Sequence, residues 1–264
     1  MFSCVFFIKK KSFSWYNGGE GRISAERGKG MRRTAYIVIA VVLAVLLLGL
    51  LEFYGIIWHN ELFALPYEVK GLDVSHHQGA IDWEKVGEEK RYRFVFIKAT
   101  EGKDFVDHRF RRNWAEAKRQ GLRVGAYHFF SMKSSGEEQA RNYIRTVPDE
   151  ADSLPPVIDV EIPLHHKPEK VRRELRVFVS ELERHYGKKP LFYATYDTYQ
   201  RYIRDAFKDH GIWIRDILKH PDLEGRDWLF WQYGHRGRVD GIETFVDLNV
   251  YRGDWKQFQK QFGQ

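Results

Sequence analysis

The chain is 264 residues long, and its 43 Lys and Arg against 36 Asp and Glu give a net charge of +7. Its one cysteine is Cys4, so the chain after residue 30 can hold neither a disulfide nor a cysteine-ligated metal. The basic residues are interspersed with acidic ones rather than gathered in a patch, which argues against nucleic acid and leaves an anionic polymer open as a partner.

Residues 1 to 30 are a mixed segment ending Gly-Glu-Gly-Arg-Ile-Ser-Ala-Glu-Arg-Gly-Lys-Gly before Met31-Arg32-Arg33. Such text arises when a purine-rich ribosome-binding region is read as protein. Met31 is therefore the expected start, and residues 1–30 are a mis-assigned extension or else a short cytoplasmic tail. Ala35 to Leu51 is an almost unbroken apolar run at the lower length limit for a membrane span. Phe53 to Trp58 extends it past Glu52, which places a transmembrane anchor at 35–58. Arg32 and Arg33 hold its start in the cytoplasm. No small-x-small pattern follows the run, where Leu50-Leu51-Glu52-Phe53-Tyr54 stands. A single-pass signal anchor in a bacterial cytoplasmic membrane, with the domain outside, is accordingly preferred to a cleaved, secreted form.

From Leu65 to the end, short apolar runs alternate with charged amphipathic stretches. Gly71–Ser75 reads as a strand before a helix starting at Ile81, and Phe94–Thr100 as a strand before a helix at Asp107–Gln120. Arg123–Phe130 and Gly136–Thr146 form the next pair. Leu154–Ile162 is a buried strand followed by the longest helix, Pro168–Tyr186, which Gly187 ends. Leu191–Thr195 precedes a short helix at Asp197–Ala206. Ile212–Ile214, Trp228–Tyr233 and Phe245–Asn249 are further strands without helices. The alternation predicts an α/β chain over 65–264, folded as an irregular TIM-like barrel.

Asp159-Val-Glu161 is the most informative motif. Residues two apart on a strand point the same way, so two carboxyl groups emerge together from a greasy element. Burying such charge is costly unless it is paired or used, and neighbouring carboxylates push their pKa values apart. One acid and one ionised carboxylate are the minimum for cleaving a glycosidic bond, while a strand-end pair capping a helix or bonded to basic neighbours is the alternative. Asp73 and Asp247 fall on two other strands, and Tyr127, Phe129, Tyr193, Trp213, Trp231, Gln232 and Tyr233 on strand ends that could bind sugar rings and hydroxyls. The same aromatic residues would equally suit a core. His76-His77 and His165-His166 are adjacent pairs, which do not aim at one ion, so no metal is expected. Ser75 lacks a nucleophile elbow and no Gly-rich phosphate loop is present.

Gly71-Leu-Asp-Val-Ser-His-His-Gln-Gly79, Phe96-Ile-Lys-Ala-Thr-Glu-Gly102, Gly125-Ala-Tyr-His-Phe129, Val157-Ile-Asp-Val-Glu161, Trp231-Gln-Tyr233 and Val246-Asp-Leu-Asn249 occur in that order. Together they resemble the signatures of glycoside hydrolase family 25, the Chalaropsis-type lysozymes, across Leu65 to Tyr251. The resemblance implies a barrel of five β-α units and three further strands. It implies a muramidase cutting the β-1,4 bond between N-acetylmuramic acid and N-acetylglucosamine, with no cofactor. Glu161 would be the general acid, Asp159 the stabiliser of positive charge, and Asp73 and Asp247 further carboxylates of the site. His77 stands where many members carry Trp. The expected partners are peptidoglycan glycan strands and, through the anchor, the cytoplasmic membrane, with a monomeric catalytic domain. A non-catalytic wall-binding scaffold and a hydrolase of another N-acetylated polysaccharide are the alternatives.

Overall fold

The computed structural model describes residues 20–263. Cys4 and most of the segment before Met31, on which the start-site expectation rests, lie outside the described residues. The chain divides after Leu50 into two compact units. The first is built on helix α1 (Glu20–Phe53), within which the 23-residue stretch Met31–Phe53 has an 18-residue window of mean hydropathy 2.9. By length and composition it can cross a membrane, and a signal sequence near an N-terminus meets the same criteria. The helix stops at Phe53, short of the expected limit at residue 58, and the chain from Leu51 onward belongs to the second unit, which also takes in the short helix α2 (Glu61–Ala64).

Five strand-helix pairs then follow. β1 (Lys70–Val74) leads to α3 (Trp83–Glu88), and β2 (Tyr92–Glu101), with the short β3 (Phe105–Val106) folded back on it, leads to α4 (Phe110–Arg119). β4 (Arg123–Phe129) precedes α5 (Gly136–Thr146), and β5 (Val157–Asp159) precedes α6 (Pro168–Tyr186). β6 (Leu191–Ala194) runs into α7 (Tyr196–Thr198), continued by a π-turn at Tyr199–Ile203. β7 (Ile212–Arg215), β8 (Phe230–Gly237) and β9 (Val246–Tyr251) come without helices between them, before α8 (Trp255–Phe262). The β-α order of the sequence is thus present, with three elements beyond it: α2, the β2–β3 hairpin and α8.

The sheet order β1-β9-β8-β7-β6-β5-β4-β2 closes on itself through a parallel β1–β2 pairing. Seven of these strands run parallel, while β9 is antiparallel to both β8 and β1. The result is a closed, mixed eight-stranded barrel. Strand alternation divides its core in two. Leu72, Val95, Ile97, Val124, Ala126, Ile158, Phe192 and Ile214 point outward and pack under the helices. Phe94, Phe96, Val157, Leu191 and Phe230 point inward and fill the lower barrel, which α8 seals with Phe258 and Phe262. Gly71 and Gly125 make room for these rings, since a Cβ at either would run into Phe94 or Phe96.

Helix ends carry local signals. Ser135 and Glu138 form a capping box at α5, Pro168 opens α6, and Gly187 closes it in the left-handed region at φ +63°. α6 packs Val171, Leu175, Phe178 and Leu182 against the sheet, with Phe178 edge-on to Phe130. These helices hold the strand ends, and so the loops of the open end, at fixed spacing.

Candidate active site

Above the Phe94–Phe96–Phe230 floor, the inward residues change from apolar to polar toward the C-terminal ends of the parallel strands. Trp213 stacks on Phe96 with ring centroids 4.6 Å apart, and its Nε1 donates to Asn249 Oδ1 at 2.8 Å. Asn249 Nδ2 donates to Asp73 Oδ2 at 2.7 Å, and Gln232 Nε2 donates to the same oxygen at 3.3 Å. Tyr193 donates its hydroxyl to Gln232 Oε1 at 2.7 Å, which fixes the amide in that orientation. Two amides held from below therefore aim the Asp73 carboxyl upward.

The cavity over this layer measures about 190 Å³. Asp73, Asp159, Glu161 and Asp247 line it with Lys98, Tyr127, Phe129, Tyr193, Trp213 and Gln232. Asp73 and Asp247 are register partners on β1 and β9. Burial and the facing Asp247 carboxylate push the Asp73 pKa well above the usual range, against the opposing hydrogen bond from Asn249. Burial also pushes Asp247 up to about 6, while the hydrogen bond from Asp73 and the charge of Arg215 hold it down. Burial and mutual repulsion thus make it costly to ionise both carboxyls of the pair, and a hydrogen bond between them favours one protonated partner, while two amide N–H groups donate to Asp73 Oδ2.

Asp159 ends β5 with its side chain buried, and burial followed by the charge of Glu161 raises its pKa well above the usual range. Lys98 opposes that rise. Of the Asp159–Glu161 pair it is thus Asp159 whose protonated form burial favours, whereas Glu161 stands exposed at the rim. Asp159 Oδ1 is buried without a hydrogen-bond partner. Lys98 Nζ donates to Glu101 Oε2 at 2.8 Å and lies over the faces of Phe105 and Phe129, at 5.4 and 5.1 Å from their centroids. An ammonium bonded on one side and stacked on two rings is held facing the carboxylates.

Trp231 and Tyr233 lie elsewhere. They flank Gln232 on β8 and so turn to the opposite face, where both are fully buried. Trp231 donates Nε1 to the Asp216 carbonyl at 2.8 Å and packs edge-on to Trp228 and Tyr67. They are outer-layer core residues, correcting their expected place at the sugar site. His128 is likewise outward, bonded to Thr100 Oγ1 and Gln139 Oε1, and burial lowers its pKa to about 4, so it is neutral. His77 is exposed on the 3-10 turn after β1, beside His76, which bonds Asp107 at 2.8 Å. Among the described residues, no three His, Cys, Asp or Glu side chains converge as metal ligands would. Lys98 and Asn249 are the site residues passed over in the sequence. Each sits two positions from a residue that faces inward, Phe96 and Asp247, so strand parity would have found both.

Residues 72–242 match the sequence profile of the glycosyl hydrolases family 25. The chain belongs to that family. A family 25 glycosyl hydrolase from Bacillus anthracis shares the fold with a TM-score of 0.71 and 47% identity, over 75% of this chain and 95% of that one. Lysozyme M1 of Streptomyces globisporus is 30% identical over 205 residues, 70% of this chain and 68% of that protein. An uncharacterized Escherichia coli K12 protein, YegX, is 37% identical over 198 residues, 73% of each chain. The protein is a glycoside hydrolase of the lysozyme type, with the barrel characteristic of its family and an acidic cavity at the open end.

Proposed function

We propose that this family 25 enzyme is a muramidase that hydrolyses the β-1,4 bond between N-acetylmuramic acid and N-acetylglucosamine in peptidoglycan. It works from the outer side of the cytoplasmic membrane, to which Met31–Phe53 anchors it, in wall remodelling or lysis. The observation that carries the reading is the buried, unpartnered Asp159 Oδ1 beside an exposed Glu161 at the rim of the cavity. A buried acceptor without a donor is costly, and a ligand N–H satisfies it. The 2-acetamido N–H of an N-acetylated sugar has the required chemistry.

In this mechanism Glu161 protonates the glycosidic oxygen as the C1–O bond breaks. The acetamido oxygen attacks C1, and Asp159 accepts the hydrogen bond of the N–H as positive charge develops there. Water then opens the cyclic intermediate, with Glu161 taking back a proton. Asp159 must be ionised and Glu161 neutral in the reacting state. Lys98 and the substrate N–H both favour the Asp159 carboxylate. Asp73 and Asp247, register partners in the cavity lining, orient the substrate. Tyr127, Phe129, Tyr193 and Trp213 supply its aromatic wall.

The test is mass spectrometry of purified peptidoglycan treated with the full chain beside Glu161→Gln. Disaccharide-peptides with N-acetylmuramic acid at the reducing end are expected from wild type. Removing the acid lowers their yield about 10²–10⁴-fold. Near-wild-type turnover by Glu161→Gln refutes the assignment, and cleavage of chitin oligomers in place of peptidoglycan moves the substrate to another N-acetylated glycan.

A further inference from the structure

The residues just after the apolar helix are built into the barrel and do not form a free tether. Trp58 Nε1 donates to the Tyr233 carbonyl at 2.6 Å, and the fully buried Asn60 donates Nδ2 to the carbonyls of Asp216 and Tyr233 at 2.8 and 3.1 Å. Arg238 Nε donates to the Tyr54 carbonyl at 2.7 Å. Gly55 turns the chain at φ +66°, where a Cβ would strike the Arg236 carbonyl. This strap nonetheless leaves Tyr54, Ile56, Leu62, Phe63 and Leu65 exposed.

A second segment, remote in sequence, joins the same surface. Asp216 Oδ1 accepts the backbone N–H groups of Leu218 and Lys219, each at 3.0 Å, and this fixes a turn that presents Leu218 outward. The Leu218 carbonyl bonds His59 Nε2 of the strap at 2.9 Å. Leu218 is 71% exposed and Leu62 70% exposed. Two segments joined at His59 thus show water several large apolar side chains, the kind of surface that marks an interaction site. Arg236 and Arg238 stack on Phe245 at its edge, offering cations to anionic headgroups.

We infer that this patch seats in the headgroup and upper acyl region of the bilayer and holds the barrel against the membrane. The occupant follows from continuity. Tyr54 is the residue after Phe53, the last of a stretch apolar enough to span a membrane. Exposed aromatic and aliphatic side chains with flanking arginines suit that interface. The patch lies along the flank of the barrel: Asp216 succeeds β7 at the C-terminal strand ends, whereas Glu61, beside Leu62, pairs with Lys70 and Arg91 at the N-terminal ends of β1 and β2. The inference rests on the membrane-anchored reading above.

The test uses the full chain with Cys4→Ser in vesicles of phosphatidylethanolamine and phosphatidylglycerol. Leu218→Cys carries an environment-sensitive fluorophore, and doxyl-labelled lipid is the quencher. Gln259→Cys, exposed on α8 at the barrel floor, is the control. Quenching several-fold stronger at position 218 than at 259 is expected, and Leu62→Cys should match 218. Equal, weak quenching at 218 and 259 in protein that floats with the vesicles overturns the seating alone. Protein that fails to float overturns the anchored reading with it. Digestion of soluble wall fragments by each labelled variant reads the muramidase assignment separately from both.

Discussion

Asp247→Asn should make the protein more stable at alkaline pH and less active. Asp247 has its pKa raised from 3.8 to about 6, chiefly by burial. A carboxyl whose folded pKa exceeds its unfolded value binds protons more tightly in the native state. Its contribution is therefore full below about pH 4 and is lost as pH rises through 6. At about 1.4 kcal/mol per pH unit the loss is about 3 kcal/mol. Water at the open side of the cavity screens part of this, leaving about 2 kcal/mol. Asparagine has the same shape, carries no charge, and can accept the Asp73 proton through Oδ1. It also removes the neighbouring charge that raises Asp73, an effect of the same sign. For a barrel of this size the gain corresponds to a rise in Tm of about 4–8 °C at pH 8. Near pH 4 the two proteins should melt together. Thermal unfolding of both proteins across pH 4 to 8 gives the difference, in which the buried carboxyls other than Asp73 cancel. A wild-type-minus-variant difference that does not change with pH would refute the shared-proton description of the pair. Peptidoglycan digestion by the same samples should fall, since the strain of the pair belongs to the site and not to the fold.

Two other substitutions separate roles within the barrel. Lys98→Met removes the cation that opposes the rise of the Asp159 pKa, so the acid limb of the pH–rate profile should move to higher pH. Activity at pH 5 is expected to drop about tenfold with less change at pH 8, and Lys98→Arg should restore most of it. A uniform loss at every pH would assign Lys98 to structure alone. Trp231→Ala should cost about 3–5 kcal/mol in urea unfolding, because it empties a buried outer-layer site. The protein that remains folded should keep its KM for wall fragments, and a selective rise in KM would return Trp231 to the sugar site.

The order of strands and helices was legible because each local signal agreed with the next. Pro168 and Gly187 mark α6 to the residue, and the apolar runs separate the strands cleanly. α8 went unread although Asp254 and Gln257 form a capping box and Phe258 and Phe262 repeat at helical spacing. Its role, plugging the barrel floor against Phe94 and Phe230, is visible only once the barrel is closed. Within the site the limit was parity. A parallel strand buried on both faces is apolar throughout, so its sequence does not say which face looks inward. Gln232 and Trp231 are equally plausible sugar contacts as residue types, and only the barrel decides that the amide faces the cavity and the indole the helices.

The same parity explains why the carboxylates were easier to read than the rings. An aromatic side chain is stable on either face of β8, as Phe230 inside and Trp231 outside illustrate. A carboxyl is not: under the helices, Asp73, Asp159 or Asp247 would meet hydrocarbon, whereas the cavity offers Asn249, Gln232, Lys98 and water. Charge on a buried strand therefore reports the inward face, and every second residue from it inherits that direction. Applied from Asp247, the rule reaches Asn249, whose amide bonds Asp73. Applied from Asp159, it reaches Glu161, at the rim of the same cavity.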